Sequence, residues 1–123
     1  MVPQFLLPET VVTEDGVGPE IALESREKAM LLTLGITRII EQETLDISLW
    51  GSTDCERWYQ VDAFPQKFYC GTYSMVVDLN RFPKTRYLRI QWKMSRWSKT
   101  QAKPLFAFYL FVEDVKLQHA GAA

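Results

Sequence analysis

Apolar and polar residues alternate along this chain in short stretches, and that alternation restricts the fold more than any other feature. Leu45, Ile47 and Leu49 interleave with Asp46, Ser48 and Trp50. Tyr73, Met75, Val77 and Leu79 recur at the same period, and Leu88, Ile90, Trp92 and Met94 stand against Tyr87, Arg89, Gln91 and Lys93. A period of two belongs to a strand with one face in a core and the other in solvent. Met30–Ile36 and Thr37–Ile40 are rich in apolar and β-branched residues, and Gly35 is expected to mark a bulge or bend. Leu105–Val112 is apolar at every position, which predicts a strand that is central or covered on both faces. Polar turns at Glu41–Glu43, Gly51–Asp54, Arg81–Lys84 and Ser98–Pro104 separate these runs. No helical period is sustained over ten residues, although Glu24–Leu34 has room for a short helical turn. Many short strands at this spacing predict an all-β antiparallel sandwich or barrel.

Size and composition narrow the class further. With 123 residues, 47% hydrophobic and 24% charged, the chain is about one domain long and has enough apolar residues to bury a core. Its apolar runs fall well short of the ~20 residues a membrane-crossing helix needs, so no membrane span is expected. The start lacks a basic segment and is broken by Pro3 and Pro8. No signal peptide is therefore expected, and the chain reads as cytoplasmic or as part of a larger assembly. Cys55 and Cys70 form no Cys-x-x-Cys pair and the one histidine is His119, which does not make a zinc site. No metal and no other cofactor is expected. Buried free thiols are the expected state of the two cysteines, with a disulfide open to them in an oxidising compartment.

The net charge of −1 conceals an asymmetry. Residues 1–62 carry 12 acids and 4 bases, whereas residues 63–123 carry 3 acids and 10 bases. From Arg81 to Lys103 eight bases are interleaved with Phe82, Tyr87, Trp92 and Trp97. Cations and aromatic rings together can serve phosphates and unpaired bases. Strand alternation alone also produces this pattern, with the acidic half alongside, so nucleic acid is not an expected partner.

Catalysis is not expected either. His119 lies in the tail, Ser52, Ser74, Ser95 and Ser98 have no histidine partner, and the carboxylate pairs Glu41/Glu43 and Asp54/Glu56 fall in polar turns. No glycine-rich phosphate loop is present. General acid–base and nucleophilic chemistry need such groups tuned by neighbours.

Leu31-Leu32-Thr33-Leu34, the strand Leu45–Ser52, the turn Thr53-Asp54-Cys55-Glu56-Arg57-Trp58 and the later Thr85-Arg86-Tyr87-Leu88-Arg89-Ile90 follow one another in a characteristic order. That succession, spanning about residues 20–113, resembles the discoidin, or coagulation-factor C-type, branch of the galactose-binding-like jelly rolls. The resemblance implies a non-catalytic jelly-roll sandwich of about eight strands whose loops at one end bind a ligand. Two departures stand out: Cys55 takes the place of the family's turn glycine, and no cysteine pair clamps the domain ends. In the motif Asp54 is expected to satisfy turn amides, Trp58 to pack beneath the turn, and Arg86 and Arg89 to bridge to acidic neighbours.

The stretch from Trp58 to Gly71 reads as a long loop with five aromatics in fourteen residues. A sugar site needs a flat ring and planar polar groups. Tyr59, Asp62, Gln66 and Tyr69 offer both, and Arg96 with Trp97 from a second loop would complete the cleft. The competing reading is that these aromatics pack as a small core of their own. Residues 1–19 are expected to form an extended N-terminal arm, residues 20–117 the sandwich and residues 118–123 a tail. Two functions follow: a module that recognises a glycan or protein ligand, or a structural subunit that forms a homo-oligomer, shell or filament through its arm and opposed charges.

Overall fold

A computed structural model describes residues 4–23, 29–39, 43–67, 69–96 and 105–114. Among the described residues are nine strands: β1 (Gln4–Val12), β2 (Gly16–Val17), β3 (Ile21–Ala22), β4 (Ala29–Ile39), β5 (Glu43–Ser52), β6 (Tyr59–Ala63), β7 (Gly71–Asp78), β8 (Tyr87–Arg96) and β9 (Phe106–Asp114), with one 3-10 turn at Leu79–Arg81. They form two antiparallel sheets. The four-stranded sheet runs β1-β9-β4-β7, and the five-stranded sheet runs β2-β8-β5-β6 with β3 also on β8.

The pairings are nested. β1 pairs with β9, β2 and β3 with β8, β4 with β7, and β5 with β6. The chain is thus one long antiparallel ribbon folded over into two layers, the jelly-roll arrangement. Gly18-Pro19-Glu20 separates β2 from β3 because a proline has no N–H to give to the β8 ladder.

The core lies between the sheets and follows the alternation. Met30, Leu32, Leu34 and Ile36 of β4 meet Leu45, Ile47 and Leu49 of β5, Leu88 and Ile90 of β8, and Phe106, Phe108, Leu110 and Val112 of β9, all buried. Each such side chain contributes roughly 1.5–3 kcal/mol on leaving water. β9 is flanked by β1 and β4, as its apolar run predicts.

Four expectations change. Residues 1–19 do not stand outside the sandwich: Gln4–Val12 is an edge strand antiparallel to β9, with Leu6, Leu7 and Val12 in the core. Leu6 and Leu7 are both buried because the register slips between Phe5 and Leu7, so their sequence reads as a break in alternation. The stretch from Trp58 to Gly71 is not all loop, since it contains β6. Gly35 is not the bulge, because the register shift on β9 falls between Ile36 and Arg38. A Cβ at Gly35 would stand 2.2 Å from the Tyr109 ring, so the glycine makes room for that ring. Ala29–Leu34 is strand rather than helical turn, while Glu24–Lys28, the Ser98–Pro104 turn and the tail lie outside the described residues. No helix among the described residues is long and apolar enough to cross a membrane.

Candidate functional site on the outer face of the five-stranded sheet

β5 and β8 pair in continuous register from Glu43↔Arg96 to Ser52↔Tyr87. Because each strand alternates, their solvent-facing residues fall opposite one another. Trp50 stands opposite Arg89, Ser48 opposite Gln91, and Asp46 opposite Lys93. β6 adds Gln60 opposite Trp50 on the other side. The result is a sheet floor of one aromatic ring, two amides, a hydroxyl, a carboxylate and an ammonium. Asp15, Gly16 and Val17 at the β2 edge and Ala63 and Phe64 at the β6 end wall it into an open groove of about 570 Å³.

Several of these groups are held in place. The Trp50 indole Nε1 donates to Ser48 Oγ at 2.8 Å, which lays the ring along its own strand. Gln66 Nε2 donates to Asp46 Oδ2 at 3.0 Å. Asp15 Oδ1 accepts from the Met94 amide at 2.8 Å, fixing the β2 wall to β8. The acidic half of the chain therefore lies against the basic strand within one molecule.

The six residues expected to line a cleft do not converge. Tyr59 sits opposite Gly51, with its ring stacked on Phe82 at 5.4 Å and its hydroxyl 2.6 Å from Thr85 Oγ1. It is a packing residue. Asp62 is half-buried and its carboxylate accepts from the Ala63 amide. Gln66 borders the groove through Asp46. Tyr69 is 75% exposed, and its carbonyl accepts from the Tyr73 hydroxyl. Arg96 pairs with Glu43, at the opposite end of β5 from Tyr59, and Trp97 lies outside the described residues. Of the loop's other aromatics, Phe64 is in the core and Trp58 is half-buried.

The Thr53–Trp58 turn is built as a structural cap. Asp54 Oδ1 accepts from the Glu56 and Arg57 amides at 2.9 and 3.0 Å and from Ser52 Oγ at 3.1 Å. Those amides hold its carboxyl below the ordinary value of 3.8. Cys55 occupies the left-handed region with φ 64°, the conformation a glycine adopts without cost. Burial raises its thiol above the ordinary range, with the Glu20 and Asp54 carboxylates adding to this and Arg89 opposing it. Neither cysteine is bonded; Cys55 is half-buried and Cys70 exposed, not buried as expected. The Trp58 indole donates to the Cys55 carbonyl at 3.3 Å. Arg89 stacks over the Trp58 ring at 4.1 Å instead of bridging to an acid, and its Nε is buried with no partner. Among the described residues no group of three or more His, Cys, Asp or Glu converges to hold a metal ion.

Trp50, Gln60 and Gln91 lie on strands β5, β6 and β8 rather than in the loops where the sequence suggests a cleft. The signal was present: Trp50 is an aromatic on the polar face of an amphipathic strand.

No known protein family and no curated protein matches this chain. Among solved structures it is similar to the SPBc2 prophage-derived protein YomS, with a TM-score of 0.51 and 7% identity over 92% of this chain and 96% of that one. The likeness is one of fold alone.

Proposed function

We propose that the protein is a non-catalytic binding module that recognises a glycan across the outer face of its five-stranded sheet. The observation that carries this reading is the Trp50 indole, pinned along β5 and flanked in register by Gln60, Ser48 and Gln91. A pyranose offers an apolar face that stacks on an indole and equatorial hydroxyls that pair with amides and carboxylates. The discoidin-like resemblance supports a binding role and places the ligand at the loops; the floor around Trp50 favours the sheet face. The raised thiol of Cys55 disfavours that residue as a nucleophile.

A glycan microarray followed by titration calorimetry tests the reading. Wild-type protein is expected to select a subset of glycans, and Trp50→Ala to lose them while keeping a folded amide spectrum and a cooperative thermal transition, since the half-buried indole lies outside the core between the sheets. Glycan binding that survives Trp50→Ala overturns it.

A second reading, a self-assembling subunit, draws on one observation. β7 pairs only with β4 among the described strands, carries no charge from Gly71 to Val77, and exposes Val76 at 57%. Such an uncovered edge accepts a further strand. Light scattering after size exclusion decides it: an assembly that Val76→Lys disperses supports this reading, and a monomer removes it.

A further inference from the structure

The opposite outer face, on the four-stranded sheet, holds a recess that the glycan reading does not use. β9 sends Tyr109 and Phe111 outward at a period of two, and Phe5 of β1 stands opposite Phe111. The Phe5 ring meets Tyr109 edge-on at 5.9 Å and 83°, and Phe111 at 5.1 Å and 70°. Phe5 therefore packs roughly perpendicular to both rings, so the three do not form one flat apolar plate. Phe5 remains 48% exposed. The recess, about 490 Å³, is completed by Thr33 and by two carboxylates, Glu9 and Glu113. Glu113 follows Phe111 on the same face of β9, and Glu9 lies on the stretch of β1 between the partners of Leu110 and Phe108. Glu9 therefore lies beside β9 near the level of Tyr109, and Glu113 lies beyond Phe111 on β9 itself.

We propose that this recess binds a small net-cationic molecule carrying a trimethylammonium group. Aromatic faces are negative at the ring centre and attract a cation. Methyl groups around the nitrogen spread that charge over an apolar surface that fits the rings, whereas a bare ammonium keeps its water. Glu9 and Glu113 add attraction for positive charge and repel a phosphate or carboxylate on the same ligand, which selects choline over phosphocholine. Gly35 contributes by its lack of a side chain, because the Tyr109 ring lies where its Cβ would stand.

Titrations followed by NMR, with choline, phosphocholine and the neutral isostere 3,3-dimethylbutan-1-ol as probes, test the proposal on the full chain. Choline is expected to bind roughly tenfold more tightly than the isostere, in line with a desolvated cation–π contact. Phe5→Leu and Glu113→Gln are each expected to weaken choline about fivefold or more with unchanged amide spectra elsewhere. Equal binding of choline and the isostere would show an apolar recess only and overturn the proposal. So would the absence of saturable choline shifts at Phe5, Tyr109 and Phe111, or phosphocholine binding as tight as choline. If either variant loses its folded spectrum, the remaining variant and the choline-to-isostere ratio in wild type still decide the matter.

Discussion

At the scale of single residues, the turn after β5 concentrates the sharpest consequences of sequence. Cys55 at φ 64° carries a side chain in a conformation that costs an L-residue roughly 1–2 kcal/mol, part of which the extra freedom of an unfolded glycine cancels. Cys55→Gly is therefore expected to stabilise the fold by about 0.5–1 kcal/mol, read as a higher urea midpoint at unchanged slope. Asp54 supplies a pH dependence. Its folded carboxyl titrates below the ordinary 3.8 because the Arg57 and Glu56 amides bond the ionised form. Its contribution is complete above the unfolded value and is lost as pH falls through the lowered folded one. Wild type should lose stability over that acid range, and Asp54→Asn should flatten the loss in melts taken from neutral pH downward. Trp58→Ala removes a half-buried ring and leaves Arg89 without its stacking partner. A cost of about 2 kcal/mol is expected, below the full price of a buried Trp, and denaturant unfolding measures it. These roles were legible in part: the turn aspartate and the packed Trp58 follow from the turn motif, whereas the strained Cys55 position was signalled only by the glycine that the resembled family carries there. That Arg89 stacks on an aromatic rather than meeting an acid depends on which strands lie side by side, which spacing alone does not fix.

At the scale of elements, strands with a clear alternation or a long apolar run were readable, and the shorter or proline-broken strands β1 and β6 were not. β5, β7 and β8 keep strict period two, so their inward and outward sets could be assigned before any pairing was known. β1 hides behind its slipped register and Pro8: Leu6 and Leu7 are both buried, which reads as an apolar arm. Removal of residues 1–12 takes three core side chains and one whole neighbour from β9. The lost burial, about 5–9 kcal/mol at the usual values for such side chains, is comparable to the whole stability of a typical domain. The truncated chain is expected to lose its cooperative thermal transition. A truncated monomer that melts like wild type would show that β1 is dispensable. β6 was missed because Trp58–Gly71 is dense in aromatics and the bulge at Val61, between the Leu49↔Asp62 and Trp50↔Gln60 pairs, breaks its alternation.

For the whole molecule, the fold class was legible because a two-layer sandwich is the plain outcome of many amphipathic strands, but the surface chemistry was not. The nested pairing brings Asp46, Ser48 and Trp50, Gln60, and Arg89, Gln91 and Lys93 onto one face, so the candidate site is an assembly of three strands that no local motif announces. The same pairing lays acidic Asp46 opposite basic Lys93, which is where the charge asymmetry of the two chain halves meets. On the proposed reading the ligand lies across this face and not at the loop end. Chemical-shift mapping with a glycan selected from the array tests it most directly. The Trp50 indole N–H and the side-chain amides of Gln60 and Gln91 are expected to shift together, with the Thr53–Arg57 turn unmoved. Shifts confined to Thr53–Arg57 and the Phe82–Arg86 loop, with the Trp50 indole unchanged, would contradict it.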